Sequence, residues 1–290
     1  MTPRQLKGQL CYTTTMYLAV DVGGTKTLLG CFTSSGELKE TVKFKTPVLY
    51  HDFRDELEKN VAKLSTNKFV GGCVAIPGRV DRQNGVGIVF GNLPWTNIPI
   101  KSDVERIANC PITIENDANL AGLFEARQVA DTYKRALYIT VSTGIGGVIV
   151  NNGKIERPTQ DAEIGHMLLE HEGKLMRWEE FASGRAIVAK FGKKASEIDV
   201  TDSTAWYIIS RNIAVGLIDV IATSVPDVVI VGGGVGSHFA KFGDRLMEEL
   251  KIYENPLLKL PKIVMATHPE EAVVYGCFEM AKDTYGSHQK

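Results

Sequence analysis

Apolar residues in this chain come in short runs broken by glycine-rich turns. The first run, 17–21, ends in Asp21, meets Val22-Gly23-Gly24-Thr25-Lys26, and resumes at 27–32, a pattern of strand, glycine turn and strand. The unit returns at 136–141, followed by Ser142-Thr143-Gly144-Ile145-Gly146-Gly147 and an outgoing strand at 148–150. In both copies the outgoing strand closes on a turn of Gly, Ser or Asn type, 33–36 and 151–153. The repetition predicts two related halves, each opening with a glycine-tipped hairpin.

Between the hairpins the pattern predicts a helix over 52–64, a strand over 71–76, a loop region rich in Gly and Pro, a strand over 112–115 and a helical stretch over 120–130. Later, Ala205, Ile208, Ile209, Ile213, Leu217, Val220 and Ile221 recur on one face of a long helix, with Asp202 and Ser203 at its N-cap position. A strand over 227–231 then runs into Gly232-Gly233-Gly234. Strands alternating with helices define an α/β protein with mixed sheets. A length of 290 residues corresponds to about two domains. Without a Pro-, Ser- or charge-rich linker between them, the halves are expected to pack face to face across a cleft.

Composition narrows the chemistry. At 44% hydrophobic and 23% charged residues the chain is an ordinary globular protein, and a net charge of -1 gives no attraction to nucleic acid or to an anionic membrane. No apolar run is read as reaching the roughly 20 residues of a bilayer span; the longest candidate, 228–235, is interrupted by glycines. Cys11, Cys31, Cys73, Cys110 and Cys277 are odd in number, widely spaced and free of CxxC pairs, which favours a reducing, cytoplasmic setting over a disulfide framework. Residues 1–15 lack the apolar stretch of a secretory signal and read as a polar extension, with Met16 as the original start.

Several glycines in one turn let backbone N–H groups approach an anion, and phosphate is the obvious one; a plain tight hairpin is the alternative. Two phosphate motifs fail on inspection. A P-loop needs Gly directly before Lys-Ser/Thr, whereas Thr25 separates Gly24 from Lys26. Neither 144–146 nor 232–236 completes G-x-G-x-x-G, and the first leads into a strand, not a helix.

The segments Asp21-Val22-Gly23-Gly24-Thr25-Lys26, Asn92-Leu93-Pro94-Trp95, Glu115-Asn116-Asp117-Ala118-Asn119, Thr143-Gly144-Ile145-Gly146-Gly147, Glu163-Ile164-Gly165-His166 and Ala182-Ser183-Gly184 occur in one register from about residue 16 to the C-terminus. Together they resemble the ROK family of sugar kinases, repressors and open reading frames. The resemblance implies an actin-like ATPase fold of the ribonuclease H-like class, with a smaller domain over 16–118 plus about 272–290 and a larger one over 119–271. It also implies that the two hairpin tips grip ATP phosphates across the cleft. Gly23, Gly24, Thr25 and Lys26 would form one phosphate loop, Thr143, Gly144 and Gly146 the other, and Gly233 and Gly234 the adenosine side. Asp21 would anchor Mg²⁺, through water, as a hard oxygen ligand; the alternative is a strand-end acid capping its own turn. For Gly233 and Gly234 the alternative is a plain strand-to-helix turn.

Phosphoryl transfer asks the protein to position the acceptor, neutralise charge and remove one proton. Asp117, between a strand and a helix and matching the family's catalytic base, is the residue expected to take it; the alternative is an N-cap, for which Asn119 is better placed. Asn116 can donate to and accept from a sugar hydroxyl. The resemblance puts Glu163, His166 and Glu179 on sugar hydroxyls, with Glu180 as the fallback if the register slips by one. Gly78 and Asn92 are expected to line the same pocket, and Trp95 either closes its mouth or packs inside.

Many family members bind a structural zinc through the histidine of Glu-x-Gly-His and a C-x-C-G-x-x-G-C cluster. Here that stretch reads Glu170-His171-Glu172-Gly173-Lys174-Leu175-Met176-Arg177-Trp178, and no cysteine occurs between Cys110 and Cys277. No structural zinc is expected, and the loop should instead be held by Leu175, Met176 and Trp178. The activity implied is ATP-dependent phosphorylation of a hexose, glucose to glucose 6-phosphate, in a protein with ATP and sugar as partners and the homodimer common in the family. Alternatives are an N-acylhexosamine or fructose kinase, a polyphosphate-using glucokinase, or a non-catalytic sugar-sensing regulator. The regulator would need a helix-turn-helix ahead of the first hairpin, where 15 residues are too few. The missing cluster slightly weakens the N-acylmannosamine option, whose kinases resemble the zinc-containing members. Elemental analysis of the purified protein should find zinc well below one equivalent per chain.

Overall fold

The computed structural model describes residues 15–66, 68–269 and 271–286. Apart from Thr15, the expected polar extension lies outside the described residues, as does Cys11.

The first glycine-tipped unit is a hairpin of β1 (Met16–Val22) and β2 (Lys26–Thr33), continued antiparallel by β3 (Leu38–Lys45). After α1 (Tyr50–Val61), β4 (Gly71–Ile76) joins the far side of β1 in parallel. A separate three-stranded antiparallel sheet follows, β5 (Arg79–Asp81), β6 (Val86–Phe90) and β7 (Leu93–Ile98). Then α2 (Ile100–Ala108) leads to β8 (Ile112–Asn116), which closes the first large sheet in the order β3-β2-β1-β4-β8. The edge strand β3, LKETVKFK, turns Lys39, Thr41, Lys43 and Lys45 outward in strict alternation, which blunts an otherwise sticky edge. Central β4 is buried along its whole length, as expected of a strand covered on both faces.

The second half repeats the plan. After α3 (Asp117–Gln128), β9 (Arg135–Val141), β10 (Ile145–Asn151) and β11 (Lys154–Ile155) form the antiparallel side of the sheet. A two-stranded hairpin, β12 (Leu168–His171) and β13 (Lys174–Arg177), precedes α4 (Trp178–Ala182), α5 (Gly184–Phe191) and α6 (Ser203–Ser224). Parallel β14 (Val228–Gly232) follows, then α7 (Gly233–Gly236), α8 (Phe239–Lys251), parallel β15 (Lys262–Met265) and α9 (Ala272–Tyr285). The order β11-β10-β9-β14-β15 matches the first sheet strand for strand.

Several expectations change. The second tip is shorter than read, because Gly146 and Gly147 pair with Thr140 and Ile139 inside β10. Helix α3 starts at Asp117, not Leu120, because the Asn116 side chain, not that of Asn119, accepts the capping bond, from the Asn119 N–H at 3.2 Å. Trp95 does not close a mouth. It is 3% exposed, packs against Tyr50, Phe53 and Phe90, and donates from Nε1 to the Val48 carbonyl at 2.7 Å. In the hairpin that stands where the resemblance puts cysteines, Met176 and Trp178 pack inward, whereas Leu175 is exposed. The Trp178 indole donates to the Asn212 carbonyl, and His171 stacks on Phe181 with centroids 4.2 Å apart. Against expectation, α6 has the length and apolarity of a bilayer span; 67% of its most apolar window is buried inside the fold, where it serves as the spine of the second core. Cys31, Cys73, Cys110 and Cys277 are free and buried.

The halves meet along α3 and α9. Helix α3 leaves the end of the first sheet and packs on β9 and β10 of the second; α9 follows the second sheet and packs back on β1 and β4 of the first. Their crossing is so tight that a Cβ at Gly276 would lie 2.0 Å from the Leu120 carbonyl oxygen. Replacing Gly276 with Val should destabilise the protein by about 1–3 kcal/mol through forced separation of the helices, read as a lowered midpoint in thermal or denaturant unfolding.

Candidate active site

Parallel strands point their C-terminal ends at one gap between the sheets. From the first sheet come Asp21 near the end of β1 and Asn116 at the end of β8; from the second come Thr140 on β9 and, paired with it, Gly232 on β14. The gap holds a cavity of about 550 Å³. Of the residues singled out in the sequence, Gly23, Gly24, Gly78, Asn92, Asn116 and Asp117 reach it from the first half. Thr143, Gly144, Gly146, Glu163, Glu179, Gly233 and Gly234 reach it from the second. Asp21, Thr25, Lys26 and His166 stand outside its lining.

The first tip is a tight turn in which the Gly23 N–H donates to the Lys26 carbonyl at 3.0 Å. Buried Thr46, just after β3, braces it: its hydroxyl donates to the Gly23 carbonyl at 2.8 Å, its N–H donates to the Thr25 carbonyl at 3.1 Å, and its oxygen lies 2.9 Å from that of Thr27. The second tip closes through the Ser142 N–H to the Gly144 carbonyl at 2.9 Å, and the Gly184 N–H docks on the Ser142 carbonyl at 2.7 Å. The Ala182-Ser183-Gly184 motif thus supports the hairpin, with Ser183 capping α5.

Glu179 lies on α4 and Glu180 does not share its place: Glu180 turns away to accept from the Arg177 N–H. Glu179 accepts from the Ile145 N–H at 3.3 Å, directly beside Gly144. Nearby are Arg185 Nη2 at 3.5 Å and His166 Nε2 at 3.8 Å from Glu179 Oε1. His166 is half exposed, and its ring stands beside the cavity-lining Glu179. The turn 163–166 lies flat on β10, which only a glycine permits, since a Cβ at Gly165 would lie 2.1 Å from the Ile145 carbonyl oxygen.

On the wall from the first half, the Asn116 amide donates to the Gly78 carbonyl at 3.0 Å, tying the loop after β4 to the end of β8. Asp117 accepts from the Ala118 N–H at 2.8 Å. Burial lifts its carboxyl to about 6, with the Glu163 charge acting in the same direction against the local backbone N–H groups. Asp21 rises further, to about 7, first by burial and then by the Asp117 charge, against a partial offset from Lys26. Asp117 on the cavity lining and nearby Asp21 are thus costly to ionise together. At the opposite end, Pro269, Ala272 and Val273 line the cavity beside Gly233 and Gly234. Buried Glu125 of α3 holds the approach to them, accepting from the N–H groups of Thr267 and His268, each at 2.7 Å, and from the Thr267 hydroxyl at 2.8 Å.

Thr46 and Glu125 escaped the sequence reading. Each acts on atoms 19 to 143 positions away, and neither belongs to a glycine turn or a recognisable motif. Among the described residues no group of three or more His, Cys, Asp or Glu side chains is arranged to hold a metal ion.

The profile of the ROK family matches residues 17–284. A glucokinase of Streptomyces coelicolor is 26% identical over 312 residues, covering 92% of this chain and 97% of its own. An N-acetylmannosamine kinase of Vibrio vulnificus is 32% identical over 247 residues, covering 76% and 83%. Among solved structures, a ROK hexokinase from Thermus thermophilus is 26% identical and superposes with a TM-score of 0.75 over 94% of this chain and 100% of its own.

Because both raised carboxyls bind protons more tightly in the folded state, their contribution to stability is complete below about pH 4 and is lost as pH rises through about 6 and 7. The ligand-free protein should therefore lose melting temperature across that interval. Asp21→Asn should make the loss shallower, the variant being the more stable form at pH 8 with the advantage gone at pH 4.

Proposed function

The chain belongs to the ROK family, with the actin-like ATPase fold of its sugar kinases and their activity as phosphotransferases on an alcohol group; from that premise we propose an ATP-dependent kinase that converts glucose to glucose 6-phosphate. The observation that carries the reading is the convergence of both glycine tips and one desolvated carboxyl, Asp117, on a single cavity.

In this reading the units 16–118 with 272–290 and 119–271 are the two lobes, and the protein is cytoplasmic. Gly23, Gly24, Thr25 and Lys26 face the phosphates from one lobe, and Thr143, Gly144 and Gly146 face them from the other. Backbone N–H groups there are fixed dipoles that need no reorganisation as charge builds on the transferring group. Gly233 and Gly234 leave room for the nucleoside. Glucose lies between Gly78, Asn92 and Asn116 on one side and Glu163, His166 and Glu179 on the other; Glu179 also spans to the second tip through the Ile145 N–H.

Asp117 accepts the proton of the attacking hydroxyl. A carboxyl near 6 is mostly ionised at neutral pH yet basic enough to take that proton. The charge pressure between Asp21 and Asp117 suits a divalent cation at this place, and Mg²⁺, held by Asp21 through water, would neutralise phosphate charge when bound. Closure of the lobes over sugar removes water that would otherwise take the phosphoryl group.

A second reading, phosphorylation of an N-acylhexosamine, is favoured by the Vibrio vulnificus relative at 32% identity. ADP release measured over glucose, mannose, fructose, N-acetylglucosamine and N-acetylmannosamine, with ATP or polyphosphate as donor, separates the two. Glucose with ATP should give the highest kcat/KM; turnover of none of the sugars would remove the proposal. Asp117→Asn should lower kcat by about 10²–10⁴-fold while nucleotide binding stays within a few-fold of wild type. In the wild type, kcat/KM should climb with pH and level off above about 6, since the base works only when ionised.

A further inference from the structure

Glu115, the residue before Asn116, is 4% exposed and collects four donors. Its Oε1 accepts from the Asn116 N–H at 2.7 Å, from Asn119 Nδ2 at 2.9 Å and from Arg82 Nη2 at 2.5 Å, and its Oε2 accepts from Arg82 Nε at 2.7 Å. Arg82 comes from the turn between β5 and β6, at the tip of the small sheet that follows Gly78. Two of its donors lie in one plane against the carboxylate, a bidentate fork that lysine cannot reproduce.

The third donor leaves the first lobe. Arg82 Nη1 reaches Asp161 Oδ1 at 2.7 Å, on the segment of the second lobe between β11 and Glu163. Beside it, Asn119 Nδ2 donates to the Gln160 carbonyl at 2.8 Å. One buried carboxylate therefore holds the start of α3, and with it Asp117, and two of its partners hold the segment carrying Glu163. Both segments line the acceptor half of the cavity.

We propose that Arg82 is a positioning residue that clamps the two lobes on the acceptor side, with Asp161 as its releasable partner and Glu115 as its fixed one. The inference rests on the kinase reading for its kinetic consequence and stands on geometry for its mechanical one. Glu115 and Arg82 form the half-buried, multiply bonded end, which keeps the guanidinium aimed. Asp161 is 57% exposed and Arg82 23%, so that arm is in contact with solvent and opens at little cost. Closing it brings Glu163 toward Asp117 over the sugar; opening it lets the sugar in and the product out.

Asp161→Ala removes the releasable arm and leaves the buried pair intact. With glucose and Mg-ATP, the KM for glucose should rise about two- to fivefold while the KM for ATP and kcat change by less than twofold. In the wild type the KM for glucose should rise between 0.05 and 0.5 M salt through screening of the exposed arm, and in the variant that dependence should vanish. Arg82→Lys, which keeps the charge and loses the fork, should lower kcat as well, since the start of α3 is then less firmly held. Amide exchange in the ligand-free protein supplies the arm that needs no turnover: segment 157–163 should exchange faster in Asp161→Ala than in wild type, with the sheets unchanged. If wild type phosphorylates glucose and Asp161→Ala shares its KM and salt response, the clamp is wrong and the kinase reading stands. If glucose is not phosphorylated, the glucose assignment fails, and amide exchange alone decides the clamp, equal exchange in 157–163 overturning it.

Discussion

The crossing of α3 and α9 is the contact on which everything else in this molecule depends. Neither sheet buries both faces alone: α9 covers one face of the first sheet and α3 one face of the second. Helix α3 starts at the end of β8 and lies on β9 and β10, while α9 returns to β1 and β4. With Gly276 against the Leu120 backbone, the helices approach closely enough to work as one post shared by both halves. The strand ends are thereby turned toward a common gap, and the first residue of α3 is placed in it.

What fills the gap follows from electrostatics. The raised carboxyls of Asp21 and Asp117 resist ionising together, because burial and mutual repulsion both oppose it. In the kinase proposed above, a triphosphate with its cation would ease that conflict, the positive charge relieving the acids. Carboxyls held in this state are common at active sites. The supports of the cavity are uncharged or fully bonded, as with Thr46 under the first tip, Gly184 against the second and Glu125 behind residues 267–268. They hold the tips without adding charge to the gap.

The hairpin β12–β13 shows a second way to build a loop. Where the family resemblance anticipates cysteines and zinc, this chain uses Trp178 in the core, Met176 packed beneath and His171 stacked on Phe181. The consequence for the site is local: α4 begins at Trp178, so the burial of that indole sets the register that aims Glu179 at the second tip and leaves Glu180 outside.

The duplicated hairpins, the α/β class, β4 and the cap of α6 at Asp202 were legible in the residues, because strand alternation, glycine turns and N-caps are decided by neighbours a few positions apart. The cavity-lining glycines and acids were legible too, though as chemistry without a direction. Only the folded chain could seat Trp95 in the core instead of at the mouth, begin α3 at Asp117, shorten the second tip to three residues, bury a bilayer-length helix as a spine, and bring Arg82 to both Glu115 and Asp161. Those outcomes depend on partners 33 to 79 positions apart in the Arg82 clamp, and on competition for the same buried space. Neither is a property of any local stretch of sequence, because burial is settled by the surface that arrives from elsewhere.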